Sequence, residues 1–176
     1  MAIQENEDVH DDVKIAYMPH NMDNLETDSG RYNEAIEYFT KTVAICSAHG
    51  DSAAGQLALT CLCMGRLFYF RENYDKAIKC LASSEALFVR TFGAKIHSLA
   101  FVHFTYGNIE FALEHWRIAK RFYGDALKIA VATTPIHLII SAIYCRLGCV
   151  ELALRNHDVA KSVYCAPEPF CFHLEY

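Results

Sequence analysis

The stretch Arg-Tyr-Asn-Glu-Ala-Ile at residues 31–36 recurs along the chain, and this recurrence decides the predicted fold. It returns as Asn-Tyr-Asp-Lys-Ala-Ile at 73–78 and, more weakly, as His-Trp-Arg-Ile-Ala-Lys at 115–120 and His-Asp-Val-Ala-Lys at 157–161. Self-similarity at such a period is typical of a chain built from stacked copies of one supersecondary unit. The alanines of the four stretches are spaced by 42, 42 and 41 residues, at Ala35, Ala77, Ala119 and Ala160.

A glycine lies twelve residues before each of the last three alanines, at Gly65, Gly107 and Gly148. Small residues at two such positions allow a helix and its successor to cross with their backbones close together. We therefore predict that each unit is an antiparallel helix pair, with these glycines and the alanines that follow them packed between its helices. Apolar residues recur with helical periodicity after residue 30, so the predicted fold class is all-α. The predicted helices are 31–48, 52–71, 74–91, 95–112, 115–132, 135–153 and 156–166.

Together these small residues resemble the tetratricopeptide repeat, a helix–turn–helix unit with a small residue at its eighth position and alanine at its twentieth. The family pattern also has a large apolar or aromatic residue four positions after the alanine, which here is Phe39, Leu81, Tyr123 and Tyr164. A period near 42 exceeds the usual period of about 34 and is similar to that of the long-helix subfamily found in kinesin light chains and fungal repeat arrays.

The resemblance implies an α-solenoid, a right-handed superhelix of about three and a half repeats. It also implies a non-catalytic adaptor or scaffold that binds a peptide or protein segment in a concave groove. In fungi, arrays of this kind also follow ATPase or phosphorylase domains in large regulatory proteins, so an accessory or regulatory role in a fungal pathway is a further implication. Solenoid ends need a polar cap, and none is evident here. We therefore expect self-association through the ends, a tail that folds back, or a place in a longer array.

Charge divides the chain into an acidic leader and a weakly basic remainder. Residues 1–30 contain eight acidic residues and one lysine, a local charge of −7, whereas the whole chain has a net charge of −5. We predict an acidic mobile arm at 1–30, a helical-repeat domain at 31–166 and, because Pro167 ends the last helix, a tail at 167–176. The charge split leaves open an autoinhibitory contact in which the arm occupies the groove of its own chain.

Composition limits the classes of partner and the compartment. A net charge of −5 argues against binding to a nucleic-acid backbone. The first residues lack the basic start and apolar run of a signal peptide, and no uncharged apolar stretch is long enough to span a membrane. We therefore expect no membrane partner and a cytoplasmic location. In such a reducing compartment the eight cysteines are expected to stay free.

The predicted groove is lined by the first helix of each repeat, and helical geometry selects its residues. Positions three before, one after and four after each repeat glycine share one face of that helix. Arg66 and the aromatic residues at these positions, with a second arginine at the flank, suit a peptide that carries apolar side chains and an acidic group. Carboxylate-clamp members of the family place lysine there, and lysine is absent here, so we do not expect a clamp for chaperone tails. The groove residues are Leu62, Arg66, Tyr69, Phe104, Asn108, Phe111, Cys145, Cys149 and Leu152, with Arg146 at the flank.

Motifs of enzymatic chemistry are missing from the sequence. It contains no glycine-rich phosphate loop, no Gly-x-Ser-x-Gly and no His-Glu-x-x-His. No catalytic residue, cofactor or metal is therefore predicted. The alternative is an enzyme or small-molecule-binding protein with a pocket in the groove. Its best candidate site is Cys145 and Cys149, four residues apart on one helix face, together with His103 from the neighbouring repeat.

Overall fold

The computed structural model describes residues 29–94, 96–133 and 137–164. These residues form seven α-helices and no β-strand, which confirms the predicted all-α class. Helix ends lie within two residues of the predicted ones, and residues 1–28 and 165–176, with most of the predicted arm and the whole tail, fall outside the described residues. The helices are α1 (Ser29–Ala48), α2 (Ala54–Phe70), α3 (Tyr74–Phe92), α4 (His97–Ala112), α5 (Trp116–Thr133), α6 (His137–Ala153) and α7 (His157–Tyr164).

The chain divides into two compact units, the first ending at Thr91 and the second beginning at Phe92. In the first unit, α1 packs on α2 through a buried cluster of Phe39, Cys63 and Leu67. The third helix of this unit, α3, is joined to α2 by a buried hydrogen bond of 2.7 Å from the Ser84 hydroxyl to the Ala58 carbonyl.

In the second unit, α5 contacts both α4 and α6, while α6 also contacts α4 and α7. The core combines Tyr123 on α5 with Ile140, Ile143 and Val150 on α6. Since α6 packs on both members of the preceding α4–α5 pair, successive helix pairs in this unit share one hydrophobic core.

One turn geometry recurs at three connections between helices, namely α2–α3, α4–α5 and α6–α7. In the α4–α5 turn, the N–H of Glu114 donates to the carbonyl of Phe111 at 3.1 Å, and that of His115 donates to Glu110 at 2.9 Å. These two bonds define a Schellman motif, which needs one residue in the left-handed backbone region. In the three turns that residue is Glu72 (φ 56°), Glu114 (φ 61°) and Arg155 (φ 61°), respectively. The turns are therefore 42 and 41 residues apart, which matches the spacing of the recurring alanines.

The residue that directly precedes the second helix of each pair accepts a backbone hydrogen bond from the recurring alanine. The carbonyl of His115, for example, accepts a hydrogen bond of 2.9 Å from the backbone N–H of Ala119. All three of these alanines are buried. The recurring alanine therefore closes the first turn of the second helix and lies inside the pair. The corresponding pairs in the other turns are Asn73 with Ala77 and Asn156 with Ala160.

Gly65 and Gly107 lie where the two helices of a pair touch. A Cβ atom on Gly65 would lie 2.8 Å from Cγ of Leu81, and one on Gly107 would lie 2.5 Å from Cε1 of Tyr123. Both distances are shorter than real Cβ atoms allow, so a side chain at either position would displace the facing side chain or the helix that carries it. Leu81 and Tyr123 are the large residues that follow the repeat alanine by four positions. Gly148 is buried as well.

One described segment has the length and composition of a membrane-spanning helix. The run Gly50–Phe70 has 21 residues and a mean hydropathy of 1.2. The core helix of a globular domain passes the same test, and Ala58 and Leu62 within this run are fully buried against the rest of the protein. The run is therefore weak support for a membrane span.

Candidate peptide-binding surface

The predicted groove residues fall in both units, and those of the first unit lie on α2. Leu62 is 0% exposed, so it is a core residue and not part of an accessible groove. Arg66 and Tyr69 are half-buried. The Tyr69 ring lies 5.2 Å from the ring of Phe70 and 6.3 Å from that of Tyr74, measured between centroids. Tyr69 therefore packs across the α2–α3 turn and leaves only part of its side chain for a ligand.

On α4 in the second unit, Phe104 and Asn108 face the inside of the helix pair. The Phe104 ring packs 5.7 Å from the Tyr123 ring. Asn108 is 8% exposed, and its Oδ1 accepts a hydrogen bond of 2.8 Å from the Tyr123 hydroxyl. Asn108 therefore has a packing role that the sequence stripe did not predict, because the stripe does not show which of its residues the neighbouring helix covers.

Phe111, Trp116 and Arg146 come together in the second unit from α4, α5 and α6, and each is half-buried. The Phe111 ring packs edge-on against Trp116 with centroids 4.9 Å apart. The guanidinium carbon of Arg146 lies 5.9 Å from the centroid of Phe111, within cation–π range. Within the described parts of the chain, Arg146 has no ion pair. We call these three residues the Arg146 cluster.

The aromatic pair inside this cluster is itself a repeated feature. Phe111 and Trp116 occupy the same repeat positions as Tyr69 and Tyr74, which also pack across a turn. Tyr69 and Phe111 are predicted groove residues, whereas the sequence pattern predicts no role for their partners Tyr74 and Trp116. The signal was present, since Tyr74 and Trp116 are both the second residue of the recurring stretch.

The cysteines of the alternative site lie on α6, where Cys145 is exposed and Cys149 is half-buried. Although Cys145 is exposed as a residue, partial burial of its sulfur raises the pKa of its thiol, and the neighbouring Cys149 thiol raises it further. The thiol is therefore protonated at neutral pH and weakly nucleophilic. The His103 ring packs 6.1 Å from that of Phe122. Among residues 29–94, 96–133 and 137–164, no three His, Cys, Asp or Glu side chains could hold a metal ion together. In the structure, His103 and the two cysteines therefore do not form a metal site.

Glu151 on α6 is a buried carboxylate for which the sequence pattern predicts no role. It is 2% exposed, and its Oε1 accepts a hydrogen bond of 2.6 Å from Nζ of Lys120 on α5. The amide of Asn156 donates to Oε2 at 2.9 Å. The hydrogen bond from Lys120 is the main cause that lowers the pKa of Glu151, and the one from Asn156 lowers it further. Burial of the carboxylate acts in the opposite direction. The carboxylate therefore ties α5, α6 and the α6–α7 turn together.

A small cleft in the first unit was also not predicted. It has a volume of about 310 Å³ and is lined by Tyr32, Asn33, Arg71 and Asn73. The guanidinium carbon of Arg71 lies 4.3 Å from the centroid of the Tyr32 ring. We call it the Arg71 cleft.

Comparisons with known proteins give no match: no family model matches the sequence, and no curated protein or solved structure is significantly similar to the chain.

Proposed function

We propose that the chain is a non-catalytic adaptor of the tetratricopeptide-like class, a right-handed α-solenoid that binds a peptide or protein segment. The observation that carries this proposal is the recurrence of one hairpin geometry, with left-handed turn residues at Glu72, Glu114 and Arg155 and close glycine crossings at Gly65 and Gly107. Copies of one hairpin that stack with a constant rotation form a superhelix, and their first helices line its concave side. A surface of this kind suits the recognition of a chain segment.

The Arg146 cluster supports a chemical class for that segment. The Arg146 guanidinium lies over the Phe111 ring, and no carboxylate among the described residues pairs with its in-plane N–H donors. A carboxylate is the natural bidentate partner of such a group. Phe111 and Trp116 offer a rigid aromatic surface to a large apolar side chain. We therefore expect the bound segment to carry an acidic residue close to a leucine or an aromatic residue.

A selection from a phage-displayed library of random peptides of about twelve residues, with the full-length chain as bait, tests the function. The expected result is reproducible enrichment of peptides that combine an acidic residue with a large apolar one. In hydrogen exchange, the selected peptides should protect the amides of α4 and α6. Lack of enrichment over a bait-free control, or protection confined to α3, α5 and α7, would contradict the proposal.

Two arginine variants test the role of the Arg146 cluster with a matched control. Arg121 is also stacked on an aromatic ring, 5.5 Å from the Phe122 centroid, but both residues lie on α5, the second helix of a pair. Arg146→Gln should weaken binding of the selected peptides by about tenfold or more, the effect of one charge-assisted bidentate contact. Arg121→Gln should leave the affinity nearly unchanged. Equal effects of the two variants, with circular dichroism showing that both fold, would remove the assigned role of the cluster.

A further inference from the structure

Residue 71 departs from the repeat in a way that changes the local chemistry. The equivalent positions in the other two turns hold Leu113 and Leu154, whereas the first turn holds Arg71. Leu154 packs against the hydrophobic core of the second unit. Arg71 is exposed and stacks on Tyr32 of α1. A cation therefore stands where the other turns of the same chain have an apolar side chain, and the Arg71 cleft is formed around it.

The polar groups that line the Arg71 cleft are able to donate hydrogen bonds. Arg71 forms no ion pair with any residue of the described ranges. The Oδ1 atom of Asn73 accepts the backbone N–H of Lys76 at 3.3 Å, so the NH2 group of the same amide is left to donate elsewhere. Burial raises the pKa of Tyr32 against the opposing effect of Arg71, so the phenol stays protonated at neutral pH. Asn33 adds a second amide.

We propose that the Arg71 cleft binds an oxyanion, that is, a carboxylate or phosphate group carried by a ligand. The planar guanidinium presents paired N–H donors that match two oxygens of either group. Stacking on Tyr32 restricts the arginine before the ligand arrives, which reduces the entropy lost on binding. The two asparagine amides supply uncharged donors beside it. The Arg71 cleft shares no residue with the Arg146 cluster and does not depend on the adaptor function.

The expected affinity is modest because the cleft has one cation and the next residue, Glu72, is acidic. A dissociation constant on the order of millimolar follows from a single charge-assisted contact with neutral donors. The test is a titration of the isotope-labelled full chain by NMR, with methyl phosphate and, separately, sodium acetate, each against sodium chloride at equal ionic strength. The side-chain signals of Asn33, Arg71 and Asn73 should shift together and saturate with at least one of the two anions.

The anion that binds more tightly shows whether the cleft prefers phosphate or carboxylate. Signals that move no further with either anion than with chloride would overturn the proposal. The variant Arg71→Leu gives the first turn the leucine that the other two turns have, so it should fold at least as stably as the wild type. It should weaken anion binding by about fivefold or more, since the bidentate donor is lost.

A matched control removes a different arginine from the same unit. Arg90 is exposed and already paired with Asp51 at 3.1 Å, so Arg90→Gln makes the same change in charge outside the cleft. This variant should bind the anion within about twofold of the wild type, because long-range charge effects are screened. If Arg71→Leu is folded, as judged by its thermal midpoint, and binds the anion as tightly as the wild type does, the Arg71 cleft is not the site.

Discussion

Replacing Lys120 with methionine should destabilise the second unit far more than removing an exposed lysine from the same helix. Lys120 is the cationic partner of Glu151, a carboxylate that is 2% exposed. Without it, the buried charge retains a side-chain hydrogen bond of 2.9 Å from Asn156. A buried carboxylate that has lost its cation keeps a charge that its remaining partners compensate only in part.

The size of the effect follows from the exposure of the two partners. Loss of one hydrogen bond to a charged group costs about 1.5–3 kcal/mol, and breaking a fully buried pair costs about 3–5 kcal/mol. Because the side chain of Lys120 is 50% exposed, water screens part of the interaction, which places the cost near the lower range. We expect Lys120→Met to lower the free energy of unfolding by about 2 kcal/mol.

Urea unfolding followed by tryptophan fluorescence measures this cost where it arises, because Trp116 is the one tryptophan of the chain and lies on α5 with Lys120. The matched control is Lys128→Met on the same helix. It breaks an exposed ion pair of 2.9 Å with Asp125 and should cost less than about 0.5 kcal/mol. Equal costs for the two lysine variants would refute the reasoning.

The pH dependence of stability gives a second test of the same contact. The pKa of Glu151 is lower in the folded chain than its ordinary value of 4.5, so the folded state binds a proton less readily than the unfolded state. The contribution of this carboxylate to stability is therefore present above pH 4.5 and is lost as the pH falls below it. Glu151→Gln should flatten the decline in stability between neutral pH and pH 3. An unchanged slope in this variant would contradict the assignment.

Three further predictions use the same unfolding assay. Gly107→Ala should lower the free energy of unfolding by about 1–3 kcal/mol, because its Cβ would lie 2.5 Å from the Tyr123 ring. In Gly124→Ala on α5 the new Cβ meets nothing within 4 Å, so this variant should be more stable by about 0.5–1 kcal/mol. A Gly107→Ala variant more stable than Gly124→Ala would exclude the close crossing. Tyr123→Phe should cost about 1–3 kcal/mol because it leaves the buried Asn108 Oδ1 without its hydrogen bond of 2.8 Å, and unchanged stability would refute this. Glu114→Gly should stabilise by about 0.5–1 kcal/mol because glycine adopts the turn's φ of 61° without steric cost, and a loss of stability would count against the turn geometry.

The helices and the interior of the helix pairs could be predicted because their signals lie close together in sequence. Gly107 and Tyr123 are 16 residues apart, within one hairpin, and their spacing recurs at Gly65 and Leu81. A repeated local pattern of this kind specifies a contact without any knowledge of the distant parts of the chain.

The residues of the candidate surface were harder to predict, because a stripe on one helix does not show what covers it. Leu62 satisfied the spacing rule and is fully buried. Lys120 and Glu151 lie 31 residues apart on different helices, and no periodic pattern links them. Arg71 could have been found as an exception to the repeat, since leucine stands at the two equivalent positions.

Cross-relaxation between protons tests the repeated helix pair most directly. In a three-dimensional NOESY spectrum of the labelled full chain, the Hα protons of Gly65 should give strong cross peaks to the Leu81 methyl groups, and those of Gly107 to the Tyr123 ring, because these atoms are in contact. A spectrum in which both glycines are assigned and the helices are intact, yet both cross peaks are missing, would contradict the repeated hairpin and the adaptor function proposed from it.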